Sequence, residues 1–141
     1  MDVKKINTTA LAYIGDAVYE VYVRQHVMEY NQTNVDMLHK RAIAFVRAEG
    51  QASVIKHLVK QRDVIEAPDN GAFRLSDEEA ALVRRARNHK SASKPKNADP
   101  VIYKWATAFE ALVGYLHLLG ENERVELLIH TAINFIENER R

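Results

Sequence analysis

From Thr8 to about Met28 the apolar residues Leu11, Ile14, Val18 and Tyr22 recur at intervals of three and four, the spacing of one face of an amphipathic helix. Asn7 or Thr8 can cap it. Asn31-Gln32-Thr33-Asn34 reads as a turn, after which Leu38, Ala42, Phe45 and Val46 resume helical spacing over Val35 to Val46. Gly50 interrupts the pattern before Ala52, Ile55, Leu58 and Val59 carry it toward Arg62, which predicts a helix break or kink near Gly50. Pro68-Asp69-Asn70-Gly71 predicts a turn. Ser76-Asp77-Glu78-Glu79 has the form of a capping box and starts a helix that runs to about His89. Past Pro100, Trp105, Phe109, Leu112, Val113 and Leu116 mark another core-facing stripe, which Gly120 ends. Val125, Leu128, Ile129, Ala132, Phe135 and Ile136 mark the last. No alternating strand pattern competes, so the fold class is all-α, with about six to seven helices.

A chain of 141 residues builds one domain with a proper core and is too short for two ordinary ones, so residues 1–141 are expected to form a single domain. Cysteine is absent, which removes disulfides and thiolate metal sites from consideration and fits a cytoplasmic protein. The first residues lack the apolar run of a signal peptide, and no segment reaches the roughly 18 apolar residues of a membrane span. No membrane partner is expected. The net charge of +1 conceals a local imbalance, because Arg84, Arg85, Arg87, Lys90, Lys94 and Lys96 follow one another with no acid between them. The segment 91–97 reads as a loop. Such a density of positive charge suits the phosphates of a nucleic acid, and the absence of interleaved aromatics from 84 to 96 favours a duplex backbone over stacked single strands.

Two carboxylates stand in otherwise apolar helical stretches: Asp16 in Leu11-Ala12-Tyr13-Ile14-Gly15-Asp16-Ala17-Val18, and Glu110 in Phe109-Glu110-Ala111-Leu112-Val113-Gly114-Tyr115-Leu116. Each lies off the stripe of its helix, and each has a glycine near it, Gly15 or Gly114, where a second backbone can approach. Folded side by side, they form an oxygen-lined site for a hard divalent cation and suggest phosphate-ester chemistry. Taken singly, an acid on a helix flank is usually a solvated charge. The six histidines show no ligand spacing, and there is no Walker loop, dinucleotide fingerprint or GxSxG.

The segment Leu11 to Val18 resembles the signature of the ribonuclease III family, and Ala108-Phe109-Glu110-Ala111-Leu112-Val113-Gly114 resembles its second catalytic segment, in the same order. The wording Tyr13-Ile14-Gly15-Asp16-Ala17-Val18-Tyr19-Glu20, the short chain and the basic segment resemble the Mini-ribonuclease III branch, a stand-alone nuclease domain with no double-stranded-RNA-binding domain. The resemblance implies an all-helical homodimer that cuts both strands of duplex RNA with magnesium, manganese being a substitute. By it Asp16 and Glu110 are the catalytic and metal-binding residues, and Arg84, Arg85, Arg87, Lys90, Lys94 and Lys96 bind the RNA. It further implies maturation of a large-subunit ribosomal RNA precursor. The larger relatives carry two more acids, at positions matched here by Ala12 and Thr107. That departure leaves a second reading open, a ribonuclease III-like protein that binds structured RNA without cutting it.

Overall fold

The computed structural model describes residues 1–64, 71–89 and 99–140. A 3-10 turn, Val3–Lys5, precedes six α-helices: α1 Thr8–Met28, α2 Val35–Val46, α3 Ala48–Arg62, α4 Asp77–Asn88, α5 Pro100–Leu118 and α6 Asn122–Glu139. There is no strand among the described residues. Of the expected turn at 68–71 only Gly71, at φ +77°, is described, and the expected loop 91–97 lies outside the described residues.

Four of the six helix starts are chemically specified by a capping side chain. Asn7 accepts from the Ala10 N–H at 2.8 Å, which decides the α1 cap, and Asn34 does the same for Met37 at 3.1 Å. At α4 both arms of the capping box form: the Glu79 N–H donates to Ser76 Oγ at 3.2 Å, and the Ser76 N–H donates to Glu79 Oε1 at 2.7 Å. Asp99 caps α5, with Pro100 in its first turn. Between α2 and α3 the chain breaks at Arg47, in extended conformation (ψ 153°), not near Gly50 as the sequence pattern predicts. Gly50 instead lies in the first turn of α3, where an added Cβ would come within 2.8 Å of the Ala44 carbonyl oxygen. The glycine permits the tight return from α2, and the extended residue before it makes the corner.

The core surrounds α5. Ala108, Phe109 and every residue from Ala111 to Leu116 are buried, so this helix is central and covered on all sides rather than striped, with Trp105 only partly buried. Helix α1 packs along it on a face that only overlaps the predicted one, sharing Leu11 with it. The buried residues of α1 are Thr8, Leu11, Ala12, Gly15, Tyr19, Val23 and Val27, a stripe turned by roughly 95° from the predicted one. Ile14, Val18 and Tyr22 are only half-buried at its edge. The reason is the glycines: α1 meets α5 where Gly15 faces the Glu110 carbonyl and Gly114 faces the Leu11 carbonyl, so the centre of the contact is backbone, with the Ile14 side chain beside Gly114. Farther along, Tyr19 lies edge-on to Phe109 with centroids 5.0 Å apart, and its buried hydroxyl donates to the Phe45 carbonyl at 2.9 Å, which ties in the end of α2.

One buried ion pair fastens the start of α4 to α6. Arg124 donates to both oxygens of Glu79, and also to the Arg74 carbonyl at 2.6 Å, while its guanidinium lies 4.2 Å from the centre of the Phe73 ring. Burial raises the Glu79 carboxyl, but the bonds from Arg124 and Ser76 more than offset it and hold it below the usual carboxylate range.

Candidate functional site

The crossing of α1 and α5 places the two acids. A Cβ built on Gly15 would fall 1.7 Å from the Glu110 carbonyl oxygen, and one built on Gly114 would fall 1.9 Å from the Leu11 carbonyl oxygen. Both distances lie far inside contact, so only glycine at each position allows the helix backbones to touch. This close approach at Gly15 sets the next residue, Asp16, beside Glu110. Asp16 is exposed at the rim of the buried stripe, whereas Glu110 is largely buried. Rigid backbone on both sides then fixes where the carboxyl groups meet.

Their electrostatics follow from that placement. Burial, then a hydrogen bond with the Asp16 side chain and the charge of Asp16, push the Glu110 carboxyl up to about 9. Without a cation, Glu110 therefore holds a proton at neutral pH and shares it toward Asp16. Two carboxyl groups pressed together in this way are a donor set short of positive charge, and a hard divalent cation fits it by replacing the proton. Among the described residues, no set of three or more histidines, cysteines or acids gathers to hold a metal. At the two positions where the resemblance implies further acids, Ala12 is buried, and the Thr107 hydroxyl donates to the Tyr103 carbonyl of its own helix at 2.9 Å. Water and substrate oxygens must complete any octahedral shell.

The basic residues divide. Arg84 and Arg85 are exposed at the end of α4, while Arg87 is half-buried with its guanidinium 4.9 Å from the centre of the Trp105 ring. Arg84 and Arg87 share one face of α4 and line a cleft of about 200 Å³ with Arg62 and Trp105. Lys90, Lys94 and Lys96 lie outside the described residues. Trp105 precedes Glu110 by five residues, so the two project from α5 about 140° apart and about 7.5 Å along its axis. The acids and the arginines are thus mounted on different sides of one central helix. Sequence reasoning assigned Trp105 to the core and passed over Lys56, whose ammonium is 5.9 Å from the same ring. The intervals between these residues carry no signal of such a contact.

Comparison with known proteins follows the same two segments. The family described as Ribonuclease III domain matches residues 9–121, spanning both acids and all six helices except the last. The chain belongs to the ribonuclease III family, and so to the enzyme class of double-strand-specific endoribonucleases. Within that family the similarity is to Mini-ribonuclease 3. The protein of that name from Enterococcus faecalis is 40% identical over 132 residues, covering 94% of this chain and 92% of the relative. That from Symbiobacterium thermophilum is 41% identical over 127 residues, covering 90% and 88%. Among solved structures, an X-ray crystal structure of a protein from Fusobacterium nucleatum superimposes with a TM-score of 0.74 at 27% identity, covering 94% of this chain and 96% of that one.

Proposed function

We propose that this chain is a magnesium-dependent endonuclease in which Asp16 and Glu110 hold the cation and the basic residues around 84–96 hold the RNA duplex. The observation that carries the reading is the carboxyl pair at the Gly15–Gly114 crossing, where burial and Asp16 push the Glu110 carboxyl up to about 9. A divalent cation held there supplies charge neutralisation at the phosphate and activation of the attacking water. The protein contributes position. Exposed Asp16, and Glu110 with its proton lost to water, would hold the cation, and the touching backbones keep the pair from relaxing apart. Arg84, Arg85 and Arg87, with Lys90, Lys94 and Lys96 in the same segment, neutralise phosphates of a duplex recognised by its shape.

The chain works as a homodimer in this reading, so that two sites address two strands. Support comes from the outward face of α1, where Ala10, Tyr13, Ala17 and Val21 are exposed next to Asp16, with Tyr13 83% accessible. A second copy is the occupant that face fits, because closure there brings both acid pairs into one assembly. The physiological substrate in this proposal is a large-subunit ribosomal RNA precursor in the cytoplasm, and residues 1–141 act as one nuclease domain.

A second reading, RNA binding without cleavage, draws on the shortage of acids at the pair. Long duplex RNA incubated with the protein, in magnesium or in chelator, separates the two. Fragments in magnesium alone support the enzyme. A duplex bound but intact in both supports the binder.

A further inference from the structure

Trp105 is the only tryptophan in the chain, and its position is unusual for a core residue. The ring is partly buried, packed against the core on one part, and carries two cations: the Arg87 guanidinium from α4 at 4.9 Å and the Lys56 ammonium from α3 at 5.9 Å from its centre. Both are half-buried, and neither forms an ion pair among the described residues. Nearby Arg62 differs, since it is paired with Asp77. Two cations gathered around one ring, neither in an ion pair among the described residues, repel each other. The π-face offsets this repulsion in part, and it also restricts side chains that otherwise lose rotamer freedom on binding.

From this arrangement we infer that Trp105 is a positioning residue that holds Lys56 and Arg87 as a paired phosphate contact, extending the RNA-binding surface from α4 onto α3. The inference rests on the proposed duplex contact of Arg87, and adds to it Lys56 and the ring that orders both. Arg84 continues the same face, three residues before Arg87 and lining the same cleft. The contact is electrostatic and independent of sequence. An immobilised pair of cations meets successive phosphates of one strand without first paying for order, so the ring acts on affinity and not on the cutting step.

The test is duplex-RNA affinity in chelator, measured for the full chain over a range of salt, with circular dichroism checking the fold. Trp105→Leu is expected to weaken binding roughly 2- to 5-fold, with Trp105→Phe recovering most of the loss. Under cleavage conditions its KM rises while kcat is retained. Lys56→Ala with Arg87→Ala is expected to weaken binding more and to lower the salt slope by about 2. In that background Trp105→Leu has no further effect, because the ring has nothing left to hold. An undiminished Trp105→Leu effect there, or wild-type affinity for Trp105→Leu alone, overturns the inference and leaves the residue a packing element. If the double alanine variant binds like wild type, the duplex contact itself is wrong, and the proposal falls with it. Should Trp105→Leu not fold, the emission of the single tryptophan serves instead. It is expected to change on addition of duplex to the wild type and to stay fixed in the double alanine variant; no change in the wild type counts against the inference.

Discussion

Replacing Glu110 with glutamine should stabilise the metal-free protein while disabling it. The Glu110 carboxyl ionises near 4.5 in the unfolded chain and at about 9 in the fold. Between those values the native state binds more protons than the unfolded state, so stability falls as pH rises through that window. This is the reverse of the behaviour of a salt-bridged acid. From pH 4.5 to 7.5 the full effect is three units at about 1.4 kcal/mol each, an upper bound of about 4 kcal/mol. Asp16 is exposed, so water screens the pair and a realistic loss is about 2–3 kcal/mol. Glu110→Gln carries no charge at any pH, and its amide can donate to Asp16 as the protonated acid does. Thermal unfolding in chelator, at one fixed protein concentration, should therefore show the two proteins nearly alike at pH 5. At pH 8 the variant should be higher in Tm by roughly 5–10 °C. Saturating magnesium should raise the wild type and leave the variant where it was. Parallel curves from pH 5 to 8.5 would refute the reasoning, since they would mean that Glu110 ionises freely beside Asp16.

Other consequences are equally direct. Metal binding should release close to one proton at pH 7, so apparent affinity for magnesium should climb with pH up to about 9; calorimetry in buffers of different ionisation enthalpy measures this, and an affinity flat in pH contradicts it. Gly15→Ala puts a methyl group 1.7 Å from the Glu110 carbonyl oxygen, and forcing α1 off α5 should cost about 3 kcal/mol or more despite the better helix propensity, as denaturant unfolding will show. Arg124→Met leaves Glu79 buried without its partner and should cost about 3–5 kcal/mol at pH 7. Arg124 holds the Glu79 carboxyl low whereas burial alone raises it, so that deficit should shrink as pH falls from 7 and the variant's Glu79 takes up a proton within the fold while the wild type's stays ionised. Neutralising Arg84, Arg85 and Arg87 together should lower the salt slope of duplex binding by about 3, and an unchanged slope would make them solvated surface.

The helices were legible in the sequence because apolar spacing marks each of them and capping residues agree with it at α1, α2, α4 and α5. The starts at Asn7, Asn34, Ser76 and Asp99 need only local hydrogen bonds. Which face turns inward was less legible. Counting large apolar residues put Ile14, Val18 and Tyr22 at the centre of α1, whereas the contact is built on Gly15 and Gly114, whose value lies in their lack of a side chain. The same property reassigned Gly50 from a break to a close approach beside Arg47. For the site, helical periodicity sets Asp16 and Glu110 aside as flanking charges, and it is the wording around them that marks them as a pair. The raised Glu110 carboxyl and the cations on Trp105 belong to contacts between helices distant in the chain. No local pattern records them.

The central claim is that Asp16 and Glu110 together hold the cation that cuts duplex RNA. Its most direct test is cleavage of a long RNA duplex by wild type, Asp16→Asn and Glu110→Gln, each in magnesium and in chelator, with duplex binding measured in parallel. The wild type should cut in magnesium only, and both variants should bind the duplex and leave it whole. Full cutting by either variant, or an intact duplex after incubation of the wild type with magnesium, would contradict the account.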